Sequence, residues 1–255
     1  MRKGWSLILL CLLAGGDCLC QDSTRWSIAF WNVENYFDTY HDTLKDDITF
    51  TPKGDNHWTP KRYTDKRNKI YKVIAFMHFP AVVGMAEVEN DHVLRDLCKG
   101  TPLRRMGYEY VHFESPDRRG IDCALLYRKE LFHITESHPI IVSDSTQSFY
   151  TRDLLLVGGV LGTGCDSCYF IVNHWPSKRN GAIADRHRYE IATRLLGAMD
   201  SLQKAHPTAL ILAMGDFNAS LDEEAISNGL GFKGACCNAQ GFYNLMCEIP
   251  KGEGT

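Results

Sequence analysis

Four short apolar runs, each breaking off into polar residues, constrain this chain more than any other feature. They are Phe30-Trp31-Asn32-Val33-Glu34-Asn35, Gly84-Met85-Ala86-Glu87-Val88-Glu89-Asn90, Val172-Asn173-His174-Trp175-Pro176-Ser177, and Leu210 to Met214 leading into Gly215-Asp216-Phe217-Asn218. The run at 81–88 has the length and composition of a buried strand, and so does that at 208–214. Strands of this kind need covering layers on their faces.

The rest of the chain supplies those layers. Tyr63, Ile70, Val73, Ile74 and Met77 recur at helical spacing, which predicts a helix over 61–77 with Lys and Arg on its other face. A second helix runs to about Cys98 from a cap at Asn90 or Asp91. Strands are expected at 26–33, 108–113, 122–128, 131–136, 153–162 and 168–174, and a longer helix at 182–204. A long polar loop carrying aromatic residues occupies about 35–60. Strands alternate with helices in some stretches and follow one another in others, which implies an α/β protein with mixed sheets covered by helices. The sequence has no internal repeat, low-complexity run or Pro/Gly/Ser linker, and its 255 residues suffice for one large domain or two small ones.

The first twenty residues, MRKGWSLILLCLLAGGDCLC, have the form of a secretory signal. Arg2 and Lys3 precede an apolar core, Leu7 to Leu13, that is too short to span a bilayer. The expected layout is therefore a signal peptide at 1–20 and one folded domain at 21–255, exported to the periplasm or beyond, with no transmembrane segment. Removing the leader, whose net charge is +1, takes the formal charge from −3 to −4. With a pI near 6.4, no global basic field advertises tight binding of duplex nucleic acid. Seven cysteines lie beyond the leader, an odd number that excludes complete intramolecular pairing. Cys165 and Cys168 form the one CxxC, which fits a small disulfide clip or half of a metal site.

Taken singly, Asp216 and Asn218 read as turn residues, and His174 as a hydrogen-bonded strand-end histidine. In combination and in this order, GDFN at 215–218, WNVEN at 31–35, Glu87 and NHWP at 173–176 resemble the endonuclease/exonuclease/phosphatase superfamily, over residues 26 to about 220. The segments HWTP at 57–60 and SPDRRGID at 115–122 resemble its exported bacterial branch. The resemblance implies a four-layered α/β sandwich of two mixed sheets flanked by helices. It also implies a divalent-metal-dependent phosphoesterase, nuclease-like or phosphatase-like, using Mg²⁺ or Mn²⁺. Glu87 would be the main metal ligand with Asn32 beside it. Asp216 would orient or deprotonate the attacking water, Asn218 would bond the nucleophile or phosphate, and His174 would donate to a phosphate oxygen. Alternation along an extended segment would aim Asp216 and Asn218 the same way.

Asn173, Arg152 and Arg119 are the candidate substrate contacts. Arg118, Lys178 and Arg179 are further cations that suit phosphate. Asp122 is placed at the cleft, and Glu34 and Glu89 are alternates for the metal. The substrate class is a phosphate ester: a nucleic acid, a phospholipid headgroup or a small phosphoester. The family's closing Ser-Asp-His segment has no counterpart after Asn218. The expectation is thus a domain lacking its last strands, and a catalytically impaired remnant is an alternative function. A third reading, from another class, is a redox or metal-binding protein acting through Cys165 and Cys168.

Overall fold

In a computed structural model, which describes residues 9–12, 26–144, 149–162 and 167–249, the polar-ended runs become adjacent strands, two in each of two sheets. The first sheet holds β1 (Leu9–Leu12), β2 (Ser27–Tyr36), β3 (Val82–Val88), β4 (Tyr108–His112) and β5 (Asp122–Arg128), in the order β1-β2-β3-β5-β4. The second holds β6 (Phe132–Ile140), β7 (Leu154–Leu161), β8 (Ser167–His174) and β9 (Leu210–Asp216), in chain order. The β2–β3 and β8–β9 pairs are parallel and every other pair is antiparallel, so both sheets are mixed.

Three apolar clusters glue the layers together. Phe30, Val82, Leu125, Phe132, Phe170 and Met214 fill the space between the sheets. On the outer face of the first sheet, Ala29, Val83 and Met85 pack with Ile70 and Ile74 of α1 (Pro60–Phe76) and Leu94 and Leu97 of α2 (Asp91–Gly100). On the outer face of the second, Leu156 and Ile171 pack with Ile191, Leu195 and Met199 of α3 (Gly181–Ala205). The result is the four-layered α/β sandwich that the resemblance implies. Both short helices start on side-chain caps: the Thr59 hydroxyl accepts from Arg62 N, ahead of Pro60, and Asn90 Oδ1 accepts from Val93 N at 3.1 Å.

The structure lengthens two expected strands. β6 runs on to Ile140 through Pro139, which a strand tolerates only at a sheet edge or a bulge, and β6 is an edge. β2 continues past Val33 to Tyr36 through an irregularity where Glu34 (φ 57°) and Asn35 (φ 59°) take left-handed backbone. The loop after it is polar but not loose. Trp58 Nε1 donates to the Phe37 carbonyl at 2.9 Å, and Phe37 stacks on Phe50 with centroids 4.1 Å apart. Leader residues 1–8 and 13–20 lie outside the described residues, as do Cys165 and the rest of 163–166. Leu9–Leu12 pairs antiparallel with β2. No described helix is long and apolar enough to cross a membrane, and no strand follows β9 among the described residues.

Parallel pairing brings the ends of β2 and β3 to one rim, and β8 with β9 does the same in the facing sheet. β9 lies against β2 and β3, so the two rims coincide. Gly215 sets how closely β9 approaches β8 there. It pairs with Asn173, and a Cβ at this position would run into the Asn173 carbonyl oxygen. Gly215→Ala is therefore expected to cost about 1–3 kcal/mol, a fall in Tm of roughly 3–10 °C by differential scanning calorimetry. An unchanged Tm would show that the β8–β9 spacing is not fixed at this glycine.

Candidate active site

The rim gathers side chains from both sheets into a cleft of about 460 Å³. Glu87 comes from β3, His174 from the end of β8, and Asp216 and Asn218 from β9 and the turn beyond it. Asn32 of β2 sits among them. Its amide donates to Asp216 Oδ2 at 3.0 Å and, more weakly, to Glu87 Oε1 at 3.4 Å. The amide's orientation follows from its other end, because Asn32 Oδ1 accepts the Glu34 N–H at 2.9 Å. Asn32 therefore presents donors to the two carboxylates, and its carbonyl oxygen is engaged elsewhere.

Glu87 is placed by a bulge. The β3–β5 register shifts between Ala86 and Val88, leaving Glu87 out of the ladder at φ 63°. Its Oε2 accepts the Asn35 N–H at 2.8 Å, which ties the two left-handed segments together. Asp216 and Asn218 reach the cleft by a route different from the expected one. Asn218 is not extended: its φ is 47°, its N–H donates to Asp216 Oδ1 at 3.1 Å, and its amide donates to the Trp175 carbonyl at 2.9 Å. A tight turn closed by the Asp216 side chain, not strand alternation, aims the pair. The site thus concentrates non-glycine residues in left-handed backbone, a conformation that costs of order 1–3 kcal/mol each and persists only where surroundings enforce it.

His174 is buried, and its Nδ1 has no hydrogen-bond partner. Burial first, then the positive fields of Arg152 and Arg119, hold its pKa well below the usual histidine value. The imidazole is therefore neutral at physiological pH, and its 3.8 Å approach to Glu87 Oε1 is not an ion pair. Arg152 is buried and fixed by Asp117 Oδ2 and the Trp175 carbonyl, each at 2.9 Å, and Arg119 is exposed on the cleft wall. The donor set of Glu87 and Asp216, two hard carboxylates bridged by an amide, fits Mg²⁺ or Mn²⁺ rather than a thiophilic ion.

Several expected contacts lie elsewhere. Asn173 is fully buried and spends its side chain on the Ile171 and Met214 carbonyls and the Trp175 indole N–H, so it braces β8 and does not reach the cleft. Asp122 does not line the cleft either, since it accepts from Ser115 N at 3.1 Å and from the Ser115 hydroxyl. Glu89 faces a second acidic group, accepting from Asp38 N. Burial, reinforced by Asp38, Asp47 and Glu114, pushes it up to about 8. Lys178 pairs with Glu223 outside the cleft. His112, Glu114 and Asp122 bring ligand atoms within 4.8 Å of one another, but Lys45 Nζ stands 3.9 Å from Glu114 and Ser115 occupies Asp122. Protein donors already serve that cluster.

Sequence reasoning missed three residues. Tyr150 and His187 line the cleft, His187 stacked on Phe149 at 3.7 Å, and no local pattern marks either. Lys66 of α1 lies in the electrostatic range of Glu34 and Glu87, and burial lowers its pKa. It is one of several cations on a basic helix face, and nothing in the sequence sets it apart from the others.

A two-sheet sandwich with carboxylates and a histidine converging at one rim defines the class, and the sequence supplies the family. Residues 27–255 match the endonuclease/exonuclease/phosphatase family, to which the chain belongs. Humanized Danio rerio TDP2 shares the fold at TM-score 0.54 and 21% identity, over 80% of this chain and 71% of that one. An endonuclease/exonuclease/phosphatase family protein from Bacteroides thetaiotaomicron does so at 0.51 and 20%, over 76% and 66%. ANGEL2, a 2′,3′-cyclic phosphatase solved with adenosine-2′,3′-vanadate, does so at 0.52 and 18%, over 63% and 46%. The chain thus spans less than two thirds of the length of the last two. No curated protein matches the sequence.

The backbone argument yields a paired test. Asn218→Ala and Asn218→Gly both remove the amide, but only alanine resists left-handed backbone. The glycine variant is expected to be more stable than the alanine variant by about 1 kcal/mol in urea unfolding. Equal stabilities would mean the turn relaxes and stores no strain.

Proposed function

We propose that this protein hydrolyses phosphate esters with the help of a divalent cation, Mg²⁺ or Mn²⁺, held at Glu87 beside Asn32 and Asp216. The observation that carries the reading is the meeting of Glu87 and Asp216, from different sheets, in a cleft whose other wall holds Arg152 and Arg119. Anionic ligands on one side and guanidinium groups on the other suit a phosphate between them. Held there, such a cation would add positive charge beside the phosphate oxygens.

The chain's own groups do the rest. Asp216, held by Asn32 and by the Asn218 N–H, is oriented to accept a proton from an attacking water. Asn218 and the neutral His174 offer N–H donors to the phosphate oxygens. Asp117 fixes Arg152 in place before substrate arrives, so less side-chain freedom is lost on binding. The ANGEL2 activity, cleavage of a cyclic phosphate, is chemistry of the same kind on the same fold. Export is proposed from the leader-like residues 1–20. Recovery from the periplasm of an expressing bacterium as a chain beginning at Gln21, read by intact mass, tests it, and retention of Met1 in the cytoplasm would overturn it.

The decisive assay is hydrolysis of bis-p-nitrophenyl phosphate with Mg²⁺ and with EDTA, beside Glu87→Gln. Turnover is expected to need metal and to fall about 100-fold or more in the variant. Metal-independent turnover would overturn the proposal. No turnover from folded protein would favour a catalytically impaired relative that keeps the fold and part of the site.

A further inference from the structure

Four arginines line the cleft, and they are not equivalent. Arg152 is buried and committed to Asp117 and the Trp175 carbonyl, so it serves the position next to His174. Arg118, Arg119 and Arg179 are exposed and form no ion pair with a carboxylate among the described residues. Elsewhere Arg67, Arg95, Arg186 and Arg188 each have a carboxylate partner. Unneutralised cations on the wall of a concave site, in a chain of net charge −3, ask for an anion from outside.

The backbone under these groups is fixed in advance. Asp117 Oδ1 accepts from Arg119 N at 3.0 Å, Gly120 N donates to the Asp117 carbonyl at 3.1 Å, and Gly120 has φ 70°. Asp46 N donates to the Arg118 carbonyl at 2.7 Å, and Lys45 Nζ donates to the Ser115 carbonyl at 2.9 Å and the Asp117 carbonyl at 3.2 Å. The turn is thus strapped to the loop after β2. Arg118 then lies over the Tyr150 ring, 5.7 Å from its centroid, which limits its side chain and leaves the edge of the guanidinium for bidentate bonding. Arg179 follows His174 by five residues and approaches the same cleft.

We infer that the cleft has a second anion subsite, formed by Arg118 and Arg179 with Arg119 on the same lining, and that the substrate is a compact ester carrying a second phosphate near the scissile one. This deepens the phosphoesterase reading and rests on it. The cleft of about 460 Å³, large enough for a nucleotide-sized ligand, and the acidic chain favour a small bisphosphorylated molecule over a long polyanion.

Binding tests it independently of turnover. Calorimetric titrations of the Glu87→Gln protein, at low ionic strength, would compare adenosine 3′,5′-bisphosphate with the two adenosine monophosphates and with a single-stranded oligonucleotide. The bisphosphate is expected to bind about tenfold or more tightly than either monophosphate. That gap should close in the Arg118→Ala/Arg179→Ala variant. Both positions are exposed, so folding is retained, and an unchanged Tm and circular dichroism spectrum of the double variant check this. Equal affinity for mono- and bisphosphate, or a gap that survives the double variant, would overturn the subsite. So would an oligonucleotide that outcompetes the bisphosphate. A gap that closes as expected, in a protein with no turnover on any ester, would sustain the subsite while removing the catalytic reading.

Discussion

The amide of Asn32, set between Asp216 and Glu87, is the contact on which the site depends. Two carboxylates repel at close range unless something positive or hydrogen-donating stands between them. Asn32 belongs to the first sheet and Asp216 to the second, so the 3.0 Å bond between them is also a tie across the sandwich. The tie holds because Glu34 N–H fixes the amide's orientation and Asn35 N–H fixes Glu87. The irregularity that interrupts β2 supplies both donors, and the bulge in β3 presents the Glu87 acceptor. Irregular backbone, rather than regular strand, thus assembles the acidic half of the site.

The cationic half is built differently. Arg152 is rigid because it is buried against Asp117, whereas Arg118 and Arg119 carry exposed heads on a strapped turn. Asp117 contributes to both arrangements: its Oδ2 fixes Arg152 and its Oδ1 closes the turn that carries Arg119. One buried carboxylate therefore sets the relative positions of two guanidinium groups in different segments. His174, between these halves, stays neutral through burial and the arginine fields.

Most of the fold was legible in the sequence because its strands are buried and apolar and its helices have one apolar face. The elements around 60–76, 82–88, 122–128 and 181–205 follow directly from that patterning. What periodicity missed has physical causes. Pro139 hid the extension of β6, because only edge position makes proline tolerable there, and edge position is a property of the sheet. Glu87, His174, Asp216 and Asn218 were readable as polar residues ending apolar runs. Asn173 carried the same signal but turns inward, since the motif does not say which strand-end polar group the backbone needs, and Asp122, at the start of its strand, bonds the Ser115 loop instead of facing the cleft. Tyr150, His187 and Lys66 come from segments without strand-end marking, and only tertiary packing brings them to the site.

A site whose acidic groups are shared between facing sheets is sensitive to small slips of one sheet over the other. The apolar attraction between the layers is non-directional, whereas a hydrogen bond at 3.0 Å depends steeply on distance and angle. The cleft therefore registers distortions of the sandwich that leave its secondary structure intact. In mild denaturant or on binding a partner to an outer helix, function would fade while the far-ultraviolet signature of the fold persists, making the carboxylate pair a strain gauge for the whole domain.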